Sequence, residues 1–360
     1  MEFTVEASHF RAAVKRMAAI VNPKQERFRR VHIEAKEAGQ STVVLTGTDL
    51  SITGQTVIPA EVKRPGVALV DLAKLAVGDS DEPVVVVADD STVTFRQGSC
   101  THQRGTADAS TFPLPEPVSG SFVALSPQSF VEALKVVGSA TGDYTKFQLS
   151  GVQWHFTKDH LRLAATDAVR LIVAHSPPIH CDKEVTSLLP ERSVSILSLW
   201  LRDAETVELL PTEQQMVVRT DDGTLIIRCL EGKFPPIDQV IKSCKSPVSS
   251  LELDSDDIRA AAKAMSVIKH QAIVCRLMDC DLHFTVTSDD GQIITTQINA
   301  LSVDGELSWE CKLNSTHFHS LLRVMPTSIL QWHFISNHKP IRLSCALGEY
   351  RIDAYQMPMS

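Results

Sequence analysis

The chain has no long hydrophobic run. None of its apolar stretches approaches the roughly 20 residues needed to span a bilayer, so no membrane-spanning segment is expected. The opening Met1–Glu6 carries neither a basic region nor an apolar core of a secretory signal, which places the expected location in the cytoplasm. Positive charge is in deficit as well: 35 Lys and Arg stand against 43 Asp and Glu, a net −8. That balance argues against a protein coated in cations, but leaves room for a local basic surface, because steering depends on where the charges sit. Motifs of covalent and phosphate chemistry are also missing: there is no nucleophile elbow, phosphate loop or zinc-protease helix. Asp49, Asp167 and Asp289 could be cast as acids and His155, His160 and His270 as bases. The acidic turns recur along the chain as a structural turn would, whereas an active site need occur only once. No enzyme is expected. Cys275, Cys280 and His283 come nearest to a ligand set, at a spacing that fits no common zinc pattern. The eight cysteines read as small core hydrophobes, and neither metal nor cofactor is expected.

What is present is repetition. Leu161–Ala174 reads as a strand, a tight polar turn at Thr166-Asp167, and a second apolar strand carrying Arg170. Leu45–Asp49 and Phe284–Ser288 echo it, far upstream and far downstream, as three copies of one large module would. Helices repeat in step. Phe10, Ala13, Val14 and Met17 mark one apolar face; Phe130, Ala133, Leu134 and Val137 mark a second. Ile258, Ala261, Ala262 and Met265 mark a third. Second helices are expected at Asp71–Ala76, Glu191–Arg202 and after the cap at Asn314. The modules close alike, in Ala109–Pro113, Glu231–Pro235 and Tyr355–Pro358, with Pro/Ser-rich connectors at Pro113–Ser121 and Ser243–Ser250. The expected domains are residues 1–117, 118–246 and 247–360 of an α+β chain, each with about two helices and eight strands, in the ordinary size range of a domain.

Four motifs in this register carry a family resemblance: Leu-Thr-Gly-Thr-Asp-Leu at Leu45–Leu50, the Leu161–Leu171 segment with Thr166-Asp167 and Arg170-Leu171, Glu231-Gly-Lys-Phe-Pro235, and the terminal Met357-Pro-Met359. Together they resemble the bacterial DNA sliding clamp, the beta subunit of DNA polymerase III, in a diverged form. The resemblance implies a homodimer closed head to tail into a ring of six modules, with twelve helices lining the hole. A heterologous contact between two different ends can close such an arc. It implies a processivity factor that encircles duplex DNA without sequence preference and tethers the replicative polymerase. The alternative is a diverged paralogue serving as a non-replicative interaction scaffold.

Five residues past the first core position of each repeated helix stands a lysine: Lys15, Lys135 and Lys263. At about 100° per residue this position lies well away from the apolar face. Arg11 and Arg259 share a second homologous position, where Val131 stands in the middle helix. Lys24 and Arg27 belong to a cation-dense loop, and Tyr144, Lys146 and Phe147 to a second loop. There the rings suit stacking on unpaired bases, or Phe147 is a strand residue beside solvated loop. With Arg192 these residues form the expected DNA face, whose phosphate contacts would carry no base information.

The resemblance further implies an apolar pocket for short linear peptides of the polymerase and clamp loader. Its matching positions are Leu149, Thr166, Ala168, Val169, Arg170, Leu171, Pro235, Gln239, Val240, Gln356, Met357, Pro358 and Met359. Met suits a surface that accepts several ligands, and Arg170 can donate to a peptide carbonyl or carboxylate. Ala168-Val169 stand where the family commonly has Gly-His, Gln239 where a basic residue is common, and the chain closes on Met359-Ser360 instead of Arg-Leu. A less basic, more apolar rim is expected.

Overall fold

The computed structural model describes all residues except 23, 26–27, 38–40, 73–77, 143–148, 269–270, 326–327 and 360. Among the described residues there are 26 strands and six α-helices: α1 (Ala7–Ile20), α2 (Pro127–Gly138), α3 (Glu191–Trp200), α4 (Asp238–Ser243), α5 (Ser255–Met265) and α6 (Ser315–Val324). The fold is α+β. The helix expected over Asp71–Ala76 lies mostly outside the described residues.

The helices form where local chemistry favours them. Phe10, Ala13 and Met17 of α1, Phe130, Ala133 and Val137 of α2, and Ile258, Ala261 and Met265 of α5 are all buried. Each set is a single stripe at i, i+3 and i+7, and each large side chain so placed contributes about 1.5–3 kcal/mol of burial. Proline at the first position starts α2 without losing a helical hydrogen bond. Asp254 caps α5, its carboxylate accepting from the backbone N–H of Asp256 at 2.8 Å and Asp257 at 3.3 Å. Asn314 caps α6 in the same way, accepting from His317 N–H at 3.1 Å.

The chain forms two compact units. The first comprises Met1–Pro127 and Ser195–Cys229, built on a 13-stranded antiparallel sheet. Sequence-distant strands join within it: Ile52–Pro59 pairs with Gly223–Arg228, with Ile52 opposite Ile227. Two glycines make this join possible. A Cβ on Gly54 would stand 2.6 Å from the Trp200 ring, and one on Gly223 would stand 2.8 Å from it. Trp200, fully buried, fills the space that both leave.

The second unit comprises Gln128–Val194 and Leu230–Ser360, with one nine-stranded and one four-stranded sheet. Here strand Arg170–His175 pairs with Tyr350–Gln356, setting Leu171 opposite Tyr355. Its core holds an aromatic cluster in which Trp309 stacks on Phe334 at 4.4 Å and Phe318 meets Trp332 edge-on at 5.6 Å.

One turn is built twice, once in each unit. Asp167 Oδ1 accepts from Val169 N–H at 2.9 Å and Arg170 N–H at 2.6 Å, while Thr166 Oγ1 accepts from Ala168 N–H at 3.1 Å. Asp49 Oδ1 accepts from Ser51 N–H at 3.0 Å and Ile52 N–H at 2.8 Å, and Thr48 Oγ1 from Leu50 N–H at 3.0 Å. The third residue is left-handed in both, Ala168 at φ 76° and Leu50 at φ 73°. A non-glycine residue there is strained, and the side-chain bonds of Thr and Asp compensate.

Candidate functional site

The second unit carries an apolar cavity of about 200 Å³ against the turn at Thr166–Arg170. Its floor is hydrophobic core: Leu171, Ile237 and Tyr355 are buried together with Ala164, Val173 and Ile335. Pro235, Pro236 and Pro340 make rigid walls, and Met357, 41% exposed, overhangs the opening. Met357 is held there by its own backbone, whose N–H donates to Val169 O at 2.9 Å. Arg162 binds Asp238 at 2.6 Å, anchoring the start of α4 and with it Val240 in the wall. A concave apolar site with few polar groups, formed before any ligand arrives, suits an extended peptide with hydrophobic anchors.

Nine of the expected pocket residues line this cavity: Leu149, Thr166, Ala168, Val169, Arg170, Leu171, Pro235, Val240 and Met357. Four do not. Gln356 is fully buried and turned the other way, its amide donating to Asn314 O at 3.3 Å. Gln239 is exposed on α4, Pro358 lies beyond the wall, and Met359 is tied by its N–H to Lys312 O at 2.8 Å.

Pro236, Ile237, Pro340 and Tyr355 complete the lining without having been expected. Two had a signal. Alternation along a strand puts Tyr355 and Met357 on one face and Gln356 on the other. Helical spacing likewise groups Ile237 with Val240 and separates Gln239. Pro340 had none, being brought in by long-range pairing alone.

Arg170 lines the cavity with its charge already paired. Its Nε and Nη2 each lie 2.8 Å from Asp167 Oδ2, and Nη1 donates to Ser320 Oγ at 2.5 Å. The guanidinium clamps the turn, so the rim is less cationic than its sequence suggests. Burial pushes the Tyr355 phenol well above its ordinary pKa, keeping it neutral under the cavity. The Cys244 thiol is raised by burial too, and donates to Pro340 O at 3.7 Å.

The expected DNA-facing residues divide into three groups. Lys15, Lys135 and Lys263 are exposed on α1, α2 and α5, opposite each buried stripe, and make no ion pair among the described residues. Lys24 and Arg192 are also exposed. Arg11 and Arg259 are engaged locally. Arg11 donates to Gly78 O at 2.7 Å and Ser80 O at 2.8 Å and lies 3.7 Å from Asp81. Arg259 bonds Ser255 and pairs with Asp256 at 3.3 Å. Arg27, Tyr144, Lys146 and Phe147 lie outside the described residues.

Among the described residues no group of three or more His, Cys, Asp and Glu side chains is placed to hold a metal, and no helix is long and apolar enough to cross a membrane.

Residues 124–236 match the family model described as DNA polymerase III beta subunit, central domain. The chain is 28% identical to the Beta sliding clamp of Synechococcus elongatus, over 90% of each protein. It is 22% identical to the Beta sliding clamp of Staphylococcus aureus, over 95% of each. Among solved structures, the DNA polymerase beta subunit of Streptococcus pyogenes superposes with a TM-score of 0.89 at 18% identity over all of both chains. The sliding clamp of Bacillus subtilis gives 0.89 at 17%, over 100% of this chain and 99% of that one. At these identities the two structures speak for the fold.

Proposed function

From a chain that is a divergent relative of the bacterial DNA polymerase III beta subunit, the sliding clamp, we propose a ring-forming processivity factor. It consists of three modules per chain, near residues 1–117, 118–246 and 247–360, and closes as a head-to-tail homodimer around duplex DNA. It holds the replicative polymerase and its clamp loader through peptides seated in the apolar cavity under Met357.

The observation that carries this reading is the recurrence of Lys15, Lys135 and Lys263, all exposed at one helical register on a chain of net charge −8. Cations that recur at one helix position, in a chain whose net charge is negative, suit phosphate contacts that hold DNA without reading it. Such binding permits sliding, because no site is preferred.

Ring closure has support from two open sheet edges. Ile293–Asn299 pairs only with Asp281–Thr287 among the described residues, and Ile293 is 63% exposed. Cys100–Gly105 pairs on one side only, with Thr92–Gln97, among the described residues. Unpaired strand edges invite pairing with another chain, and a heterologous pairing of this kind removes both hazards at once.

The test is topological. Protein loaded on nicked circular DNA by its clamp loader with ATP is expected to stay bound on the circle and to leave once the circle is linearised. Equal retention on both forms would mean ordinary surface binding and would overturn the ring.

A further inference from the structure

The twice-built turn borders a cavity in the first unit as well. This groove, of about 570 Å³, lies between the turn at Thr48–Ile52, the connector Pro113–Ser119 and the end of strand Gly223–Arg228. Its parts match those of the smaller cavity. Leu50 occupies the place of Ala168, and Pro113 follows Phe112 as Pro235 follows Phe234. Arg228 stands where Met357 stands. Its N–H donates to Ser51 O at 2.8 Å, as Met357 N–H donates to Val169 O at 2.9 Å. The strand registers agree: Ile52 lies opposite Ile227, and Arg170 opposite Gln356.

The differences define what the groove would take. Leu50 and Leu114 are 49% and 51% exposed, leaving two apolar side chains in water beside the groove. Arg228 is exposed and makes no ion pair among the described residues. The other charge in the lining, Glu116, is not within ion-pair distance of it. The Asp49 carboxylate is already used by the turn, accepting from two backbone N–H groups and the Ser51 hydroxyl. An unpaired guanidinium beside exposed leucines complements a carboxylate next to an apolar side chain, and Arg binds carboxylates bidentately.

We propose that this groove is a second peptide-docking site, taking an extended acidic peptide whose carboxylate meets Arg228 and whose apolar residue lies across Leu50 and Leu114. The site takes its template from the peptide-pocket reading of the cavity under Met357, but differs in selectivity. The Met357 cavity is an apolar pocket whose one cation is paired with Asp167, whereas the Arg228 groove selects for negative charge. One chain then holds two kinds of partner peptide at once.

The test uses the full chain with labelled leucine, valine and methionine methyl groups. The probes are a synthetic peptide alternating leucine and glutamate, and its glutamine counterpart. The glutamate peptide is expected to shift the Leu50 and Leu114 methyl signals, and Arg228→Gln to weaken that binding at least tenfold. The glutamine peptide should bind there at least tenfold more weakly. Arg228 is exposed, so an otherwise unchanged methyl spectrum establishes that the variant is folded. Shifts confined to Val240 and Met357, shifts at neither groove, or binding indifferent to Arg228→Gln would each overturn the proposal. Shifts at Leu50 and Leu114 without any at Met357 would uphold it together with the difference in selectivity, while the Met357 cavity stands or falls with binding of a polymerase peptide.

Discussion

Arg170 and Asp167 form a closed clasp at the rim of the candidate peptide pocket, with Nε and Nη2 each 2.8 Å from Oδ2. The same carboxylate accepts two backbone N–H groups through Oδ1 and lies 4.0 Å from His317 Nδ1. Asp167 therefore shapes the turn, and Arg170 holds Asp167 in place. Asp167→Ala removes both sets of bonds and leaves Arg170, largely buried, without its partner. It is expected to cost about 1–3 kcal/mol in denaturant unfolding and to weaken peptide binding. Asp167→Asn keeps one acceptor for the turn and should cost less. Equal stability of all three proteins would show that the clasp is incidental.

Lys15, Lys135 and Lys263 are expected to act through phosphate. Reversing all three to Glu should abolish DNA retention at physiological salt while light scattering still reports the dimer. Replacing them with Gln should lower the salt slope of binding by about 5, close to one for each of the six lysines replaced in the two-chain ring. An unchanged slope would take these helices out of DNA binding.

Deleting Met357–Ser360 removes the overhanging wall of the cavity and two backbone ties, Met357 N–H to Val169 O and Met359 N–H to Lys312 O. Polymerase peptide affinity is expected to fall at least tenfold in an anisotropy titration, with sedimentation of the dimer unchanged. Wild-type affinity in the truncated protein would mean that the peptide sits elsewhere.

Stability should fall in mild acid. Burial, reinforced by the nearby Arg342 charge, lowers the His333 pKa to about 4, and its Nδ1 lies 2.9 Å from Ser250 Oγ. An unfolded histidine titrates near 6.5, so between these values the unfolded chain binds the extra proton. The His333 contribution is complete above about pH 6.5 and drains away as the pH falls toward 4. Burial also lowers His32, His155 and His175, which adds in the same direction. The urea midpoint is expected to drop between pH 7 and pH 5, with a shallower drop in His333→Gln. Identical pH profiles for variant and parent would exclude His333 as the source.

Much of the candidate site was legible because its parts are local. The turn at Thr166–Arg170 is specified by the hydrogen-bonding of Thr and Asp side chains within four residues. The lysine register is specified by helical period, since Phe10, Phe130 and Ile258 bury and the residue five positions on must then face away. Three of the four expected pocket residues that fall outside the cavity, Gln239, Gln356 and Pro358, are sequence neighbours of residues that line it, and adjacency along the chain does not put two side chains on one face. Gln356 among them is excluded by strand alternation itself.

Other features had no local signal. Arg11 matches Arg259 by position, yet its charge is spent on carbonyls 67 and 69 residues away. Arg16, next to Lys15 on α1, is 8% exposed; it bonds Asp222, 206 residues on, and lies over the Trp200 ring at 5.5 Å. Nothing in the periodicity of α1 separates that buried arginine from an exposed one. By itself the sequence determined which residues turn, which helix faces bury and where like charges recur, because these follow from interactions a few residues long. Tertiary structure decided which cations stay available and which residues wall each groove. Those outcomes depend on pairings such as Ile52 with Ile227 and Leu171 with Tyr355, formed by strands far apart along the chain.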